Sequence, residues 1–175
     1  GSKDDVNTED TTSLRASLRY QITDDTWIQP SVFYQTMEMD GKPNTDGPTY
    51  DDKQVRPYDA AEPFDDEFTL ASITFGSDFE NFSITANLSD IDRDFKNVED
   101  MTDAVNFLGG AGIFGYGDAP SAAYVDEAVT LEDQTFEIRI ASNSADDFQL
   151  VAGYYNKEAE TNSNYVMSRG FEFVT

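Results

Sequence analysis

Six segments of alternating apolar and polar residues constrain the fold of this chain more than any other feature. In the first segment Leu14, Leu18 and Tyr20 alternate with Arg15 and Arg19, so one face of an extended strand is apolar and the other is cationic. This pattern predicts strands near residues 12–22, 27–37, 68–76, 82–92, 134–142 and 148–157. The strands form three pairs, and a short polar turn joins each pair, which indicates three antiparallel hairpins.

Two long acidic loops, residues 40–66 and 95–132, are predicted between the hairpins. The first contains four prolines, which disfavour regular structure because proline has no backbone N–H. Short turns therefore lie at one end of the strands and long loops at the other. Transmembrane β-barrels have this asymmetry. The predicted fold class is all-β, an antiparallel up-and-down segment of a transmembrane β-barrel with about six strands.

The charge and the composition exclude several classes of function. The chain has 175 residues and a formal net charge of -24, from 35 acidic and 11 basic residues. A surface this acidic repels nucleic acid, so we expect no nucleic-acid partner, and it favours divalent cations or basic partners. The absence of cysteine and histidine excludes Ser-His-Asp and Cys-His catalysis and thiolate metal sites within this chain. We expect no enzymatic activity and no obligatory cofactor.

Membrane insertion by strands is compatible with the polar average of this sequence. No apolar stretch reaches the roughly 18 to 20 residues of a membrane-spanning helix. A barrel strand needs only about 9 to 11 residues, of which alternate ones contact lipid. Aromatic residues with the parity of the apolar face stand beside the short turns, as an interfacial girdle would require. These residues are Tyr20, Phe75, Phe82 and Phe148.

Two residues of the second predicted strand do not fit a regular apolar face. Trp27 has the parity of Gln29 and Ser31, so it is expected on the polar face unless a bulge changes the alternation. Pro30 lies on the apolar face and has no N–H to donate to a neighbouring strand. We therefore expect a bulge or an unpaired position near Pro30.

Three stretches resemble successive barrel hairpins of TonB-dependent outer-membrane receptors. They are Thr12–Tyr34, Phe68–Arg93 and Gln134–Lys157. The third is the most specific, because FEIRIAS at Phe136–Ser142 and LVAGYY at Leu150–Tyr155 are similar to a recurring motif of that family. The motif has the form F-E-[IL]-R-[IL]-A-S, a short turn, then [WL]-V-A-G-x-Y.

The resemblance implies a role in nutrient import. Residues 1–175 would be part of the barrel domain of a longer transporter, with no plug domain in this chain. Such a transporter imports a scarce nutrient, for example a ferric siderophore, cobalamin or an oligosaccharide, across the outer membrane of a Gram-negative bacterium. Its partners would be outer-membrane lipid, the small-molecule nutrient, and the TonB complex through parts that this chain lacks.

Four charged residues on the predicted polar faces are candidates for the barrel lumen. They are Arg15, Arg19, Glu137 and Arg139. Inside a barrel these side chains would form ion pairs, contact the plug or line the path of the substrate. The resemblance identifies no individual residue as a ligand-binding position.

An acidic segment after the fourth predicted strand is a candidate for calcium. Its D-x-D-x-D pattern opens like an EF-hand loop, but Phe95 replaces the required glycine and Met101 the required glutamate. A looser calcium site would use the carboxylates of Asp90, Asp92, Asp94, Glu99 and Asp100.

A second hypothesis belongs to a different class of protein. A soluble, secreted, acidic β-sandwich or adhesin-like module that binds a partner or calcium would show the same alternation, because a protein core and lipid both demand one apolar strand face. The two hypotheses differ in what the apolar face contacts. In a barrel Leu14 and Leu18 contact lipid, whereas in a sandwich they contact a second sheet.

Overall fold

Seven strands form one antiparallel sheet in the computed structural model, which describes residues 8–42, 62–102, 104, 107, 123–143 and 149–169. The strands are β1 (Glu9–Ser17), β2 (Tyr20–Gln21), β3 (Thr26–Met39), β4 (Phe64–Asp78), β5 (Phe82–Asp100), β6 (Ala123–Ser142) and β7 (Val151–Arg169). The strand order is β1-β3-β4-β5-β6-β7, and β2 pairs with β3. The predicted all-β, antiparallel, up-and-down fold is confirmed. The sheet is open, and it is not closed into a barrel.

The first predicted strand is divided into β1 and β2 by its neighbour. Pro30 of β3 stands opposite Leu18, whose N–H donates to the Pro30 carbonyl over 3.1 Å. Proline has no N–H to return, and Leu18 and Arg19 belong to no strand. The register of β3 with β1 and with β2 is continuous, so the expected disturbance is an unpaired position and not a bulge.

Several strands continue beyond their predicted ends. β5 extends to Asp100, β6 begins at Ala123 and β7 extends to Arg169. The predicted loops at 40–66 and 95–132 were therefore too long, because the strands they connect end at Met39 and Asp100 and resume at Phe64 and Ala123. The alternation continues in these extensions, but the apolar residues change to the other face.

The register assigns every strand residue to one of two faces. One ladder row joins Leu14, Tyr34, Thr69, Asp92, Glu132 and Glu160. The neighbouring row, on the opposite face, joins Arg15, Phe33, Leu70, Ile91, Asp133 and Ala159.

Exposure shows how the sheet curves. In β6 the side chain of Val125 is 4% exposed, whereas that of Tyr124, on the face of Leu14, is 40% exposed. A sheet that curls encloses the side chains of its inner face. We therefore call the face of Leu14 the convex face and the face of Arg15 the concave face.

The most buried side chains lie where the long connections meet the sheet. Ala123 and Val125 are the buried apolar residues of the part that the structure describes, and Thr102 is the largest of its fully buried side chains. Large apolar side chains nearer the short turns are exposed, for example Leu14 at 61% and Leu88 at 54%. Among the described residues no helix is long and apolar enough to cross a membrane.

Candidate functional site

The convex face carries an apolar band across every strand of the sheet. We define this apolar band as the convex-face residues within segments 14–20, 28–34, 71–75, 82–88, 136–140 and 152–154. It contains no charged residue. Most of its large side chains are exposed, as Ile73 at 46% and Ile140 at 46% illustrate, and the others are half-buried. A continuous exposed apolar surface of this extent marks an interface with a partner or with lipid.

The loop-side edge of the apolar band is oblique to the strands. It begins at Leu14 and Tyr34, which are direct partners in the ladder. In β5 and β6 it begins at Leu88 and Phe136, also direct partners, two ladder rows closer to the short turns. In β7 it begins at Tyr154, one further row along. Counting only the rows of the convex face, the edge therefore moves by three ladder rows, or six residues along a strand, between β1 and β7.

The first charged residues beyond the edge follow the same line. In β3 the first acid on the convex face is Glu38, and in β7 it is Glu158. The register places these two residues three ladder rows apart as well. Apolar and charged residues thus define one oblique boundary independently.

The slope of this boundary corresponds to a definite angle. Successive residues on one face of a strand are ~6.7 Å apart, so three rows amount to ~20 Å. The five steps from β1 to β7, at ~4.8 Å each, amount to ~24 Å. The boundary is therefore inclined by ~40° to the perpendicular of the strands. Strands of transmembrane barrels are tilted by about 35–45°.

Beyond this boundary the convex face is acidic. Asp92, Glu132 and Glu160 stand directly opposite one another on three adjacent strands. One neighbouring acid, Asp90, accepts a hydrogen bond of 2.8 Å from the side-chain amide of Gln134. Like charges in direct cross-strand positions destabilise a sheet. These acidic residues therefore do not stabilise the sheet, and its stability does not account for their position.

The calcium candidates do not form a cluster. Asp90, Asp92 and Asp94 lie in strand β5 and not in a loop, so these alternate residues are ~6.7 Å apart along the convex face. Glu99 lies on the concave face, where Lys42 Nζ is 2.9 Å from its carboxylate. Within the described ranges no group of three or more acidic side chains has the spacing of a metal site.

The concave face near the short turns is polar. One ladder row consists of hydroxyl residues on five strands, and we call it the hydroxyl row. Its members are Ser17, Ser31, Ser72, Ser89 and Thr135. Ser31 and Ser72 are joined by a hydrogen bond of 2.7 Å, and Ser89 and Thr135 are joined by another. The fifth hydroxyl, that of Ser17, accepts a hydrogen bond of 3.1 Å from the side-chain amide of Gln29, so each hydroxyl of the row has a partner within the sheet.

The four predicted lumen residues share the concave face but form two separate groups. Arg15 lies 5.2 Å from the ring centroid of Phe33 and belongs to the β1 edge, as Arg19 does. Arg139 donates a hydrogen bond to Glu137 on β6. Three strands lie between β1 and β6 in the sheet, so the two groups are ~19 Å apart. They do not constitute one binding site.

Arg19 belongs to a stack that the sequence pattern did not reveal. Its guanidinium lies 4.0 Å from the ring centroid of Trp27, and Trp27 covers Gly76 of β4. A Cβ atom at Gly76 would be 2.3 Å from the indole ring. Trp27 thus faces the concave side without any bulge, because the glycine opposite leaves room for its ring. Aromatic cover of a strand glycine is a known stabilising device.

The loop-side half of the concave face carries apolar side chains, which sequence analysis missed. The rings of Phe64 and Phe95 meet edge to face with centroids 5.3 Å apart, and those of Phe33 and Phe68 are 5.9 Å apart. The signal was available in the sequence as a second alternation of opposite parity. In the second half of β5, Ile91 and Phe95 lie on the face that was polar in the first half.

Two ion pairs lie in this loop-side half. Arg93 makes two hydrogen bonds, of 2.7 and 2.8 Å, to the carboxylate of Asp66. These bonds raise the pKa of Arg93, partly opposed by burial. Lys157 Nζ is 2.5 Å from Asp133, which is 6% exposed, and this hydrogen bond raises the pKa of Lys157. Both cations are therefore held in their charged form.

Aromatic side chains occur at the short-turn end, as predicted. Phe79 and Phe82 are stacked with ring centroids 4.6 Å apart, and both are exposed. Tyr20 is 64% exposed on the convex face. The predicted girdle residue Phe148 lies outside the described residues. Asn143 donates to the Phe79 carbonyl over 2.9 Å and so connects two neighbouring short turns.

No protein-family model matches this chain, and no curated protein sequence matches it significantly.

Proposed function

We propose that this chain is a strip of an outer-membrane β-barrel that belongs to a TonB-dependent transporter. The observation that carries the proposal is the oblique edge of the apolar band on the convex face. A flat membrane surface crosses tilted strands obliquely, so it produces such an edge at the tilt angle. A protein partner that packs on the sheet has no reason to follow this line.

The position of the apolar band on the convex face favours lipid over a protein core. A β-sandwich packs the inner faces of its two sheets against each other. Here the more exposed face carries the apolar band, and the less exposed face opposite it carries the hydroxyl row. Apolar outside and polar inside is the arrangement of membrane barrels.

The height of the charge-free zone agrees with this proposal. Between Glu80 in the turn and Asp90 in β5 the chain has no charged residue. These ten steps correspond to ~33 Å along the strand and to ~25 Å perpendicular to the boundary at a tilt of ~40°. The apolar band of outer-membrane barrels is about 25 Å tall.

The transport function rests on the resemblance of the hairpins to TonB-dependent receptors. As part of such a transporter the chain is not an enzyme. Outer-membrane lipid contacts its convex face, and its concave face lines the lumen of the barrel. The imported nutrient would be a ferric siderophore, cobalamin or an oligosaccharide, and the TonB complex would supply energy through other parts of the protein. The location would be the outer membrane of a Gram-negative bacterium.

A nitroxide scan of the chain in phospholipid vesicles tests the membrane orientation. The chain has no cysteine, so single-cysteine variants can be labelled without removing background sites. We expect labels at Ile73 and Leu88 to be accessible to oxygen and protected from a water-soluble nickel complex. A label at Asp92, beyond the boundary, should be accessible to the nickel complex. Asn87, the concave neighbour of Leu88, provides the matched control.

The soluble alternative gives a different result in the same scan. If the chain is a secreted β-sandwich or adhesin-like module, the labels at Ile73 and Leu88 will be protected from both reagents, and the sheet will form without lipid.

Transport is tested separately in cells that express the intact protein. Uptake of its nutrient should stop when TonB is deleted, and continued uptake would refute the assignment to this class of transporter.

A further inference from the structure

The ends of the two long connections meet at one short segment, Glu99–Thr102. Lys42, which follows β3, forms an ion pair of 2.9 Å with Glu99. Glu62, which precedes β4, accepts a hydrogen bond of 2.9 Å from the backbone N–H of Asp100. Both ends of the first connection are thus bound to the end of β5.

The second connection is bound at the same segment. The backbone N–H of Met101 donates to the carbonyl of Ala123 over 2.9 Å. The hydroxyl of Thr102 donates to that carbonyl over 3.2 Å and accepts from the N–H of Ala123 over 3.0 Å. The carboxylate of Asp100 accepts from the N–H of Thr102 over 2.8 Å and so links the two sets of contacts.

Burial indicates that these contacts are energetically significant. Glu62 is 5% exposed, and Thr102 and Ala123 are each 1% exposed. A hydrogen bond in such a place is costly to break, because the separated groups remain away from water.

We propose that this cluster, which we call the loop-root clamp, couples the ends of the two connections thermodynamically. The loop-root clamp consists of Lys42, Glu62, Glu99, Asp100, Thr102 and Ala123. A change at the ends of the first connection reaches the second because both depend on the conformation of Glu99–Thr102. Coupling of this kind requires shared contacts and no long-range pathway. The coupling is independent of what contacts the convex face, so it does not rest on the proposed function.

Hydrogen exchange of the full chain in detergent micelles, followed by NMR, tests the coupling. The Glu62→Ala variant changes a residue of the first connection, and the N–H of Ala123 reports on the second. Because a net hydrogen bond corresponds to about a fivefold change in an opening equilibrium, we expect the Ala123 N–H to exchange about fivefold faster. Glu62→Gln retains an acceptor oxygen and should restore most of the protection. Glu38→Ala removes an acid from the convex face nearby and should have no effect.

The opposite outcome is equally definite. If Glu62→Ala accelerates exchange of the Asp100 N–H and leaves that of Ala123 unchanged, the two connections are not coupled and the proposal is wrong. A variant that loses its fold would lose protection throughout β3 and β4. In that case sodium chloride gives a second test on the unaltered chain, because it screens the Lys42–Glu99 ion pair. The exchange rate of the Ala123 N–H should then rise with salt concentration in the unaltered chain, and it should rise less in Glu99→Gln. Equal increases in the two proteins would overturn the proposal.

Discussion

An arginine placed in the middle of the apolar band provides the strongest energetic test of membrane contact. Ile73 is the central convex residue of the band in β4, with Ala71 and Phe75 on either side. At 46% exposure it makes only part of its contacts with protein, so the loss of packing in Ile73→Arg is small. An arginine at the bilayer midplane of a barrel costs about 2–4 kcal/mol. We expect a loss of about 3 kcal/mol in unfolding free energy, or roughly a hundredfold change in the unfolding equilibrium.

The assay is reversible urea unfolding of the chain in phospholipid vesicles, followed by the fluorescence of Trp27. Trp27 is the only tryptophan of the chain, so its signal needs no deconvolution. Thr130→Arg is the matched control, since it adds the same charge to the convex face three ladder rows beyond the band's edge in β6. This control should change the free energy by less than about 0.5 kcal/mol.

A pair of variants within one ladder row tests the oblique edge itself. Val32 in β3 and Gln134 in β6 occupy the same row of the convex face. Val32 lies inside the apolar band, whereas Gln134 lies one row outside it. Val32→Arg should therefore cost at least about 2 kcal/mol more than Gln134→Arg. Equal costs for the two variants, or no cost for Ile73→Arg in lipid, would refute the membrane argument.

Three further substitutions test the packing and the charges of the sheet. Gly76→Ala should destabilise the sheet by about 1–3 kcal/mol in urea unfolding monitored by circular dichroism, because the new methyl group overlaps the ring of Trp27; adding it to Trp27→Ala should cost much less. Lys157→Met should destabilise the sheet in the same assay, since it leaves the buried carboxylate of Asp133 unpaired, and a neutral effect would contradict this role of the ion pair. Glu132→Gln should stabilise the sheet by about 0.5 kcal/mol at low salt and by less in high salt, because it removes repulsion from an acid on either side; destabilisation would contradict this account.

The sequence was sufficient to predict the parts of the fold that depend on one constant alternation. Leu14 and Arg15 were assigned to opposite faces correctly, because period-two alternation determines the face of a strand residue. The extension of β5 to Asp100 was missed, because apolar residues leave the first face after Leu88 and that face carries acids from Asp90 onward. A search for strands that requires the apolar residues to stay on one face ends the strand at such a change.

The candidate site was predictable only in part, for a different physical reason. The common face of Arg19 and Arg139 follows from parity, but their separation depends on the strand order. The contact of Arg19 with Trp27, and of Trp27 with Gly76, depends on cross-strand register. Register is a property of chain pairing, and the alternation of a single strand does not specify it.

The exchange of polarity between the two halves of each long strand bears on the fidelity of pairing. A strand of uniform alternation resists a one-residue slip, which would turn its apolar side chains to the wrong face. A two-residue slip keeps the faces and is usually harder to exclude. In β5 such a slip would move Asp90 to the level of Leu88, inside the apolar band, or would move Leu88 beyond the boundary. The boundary on the convex face therefore disfavours both a one-residue and a two-residue slip, and it favours the native pairing in addition to the short turns.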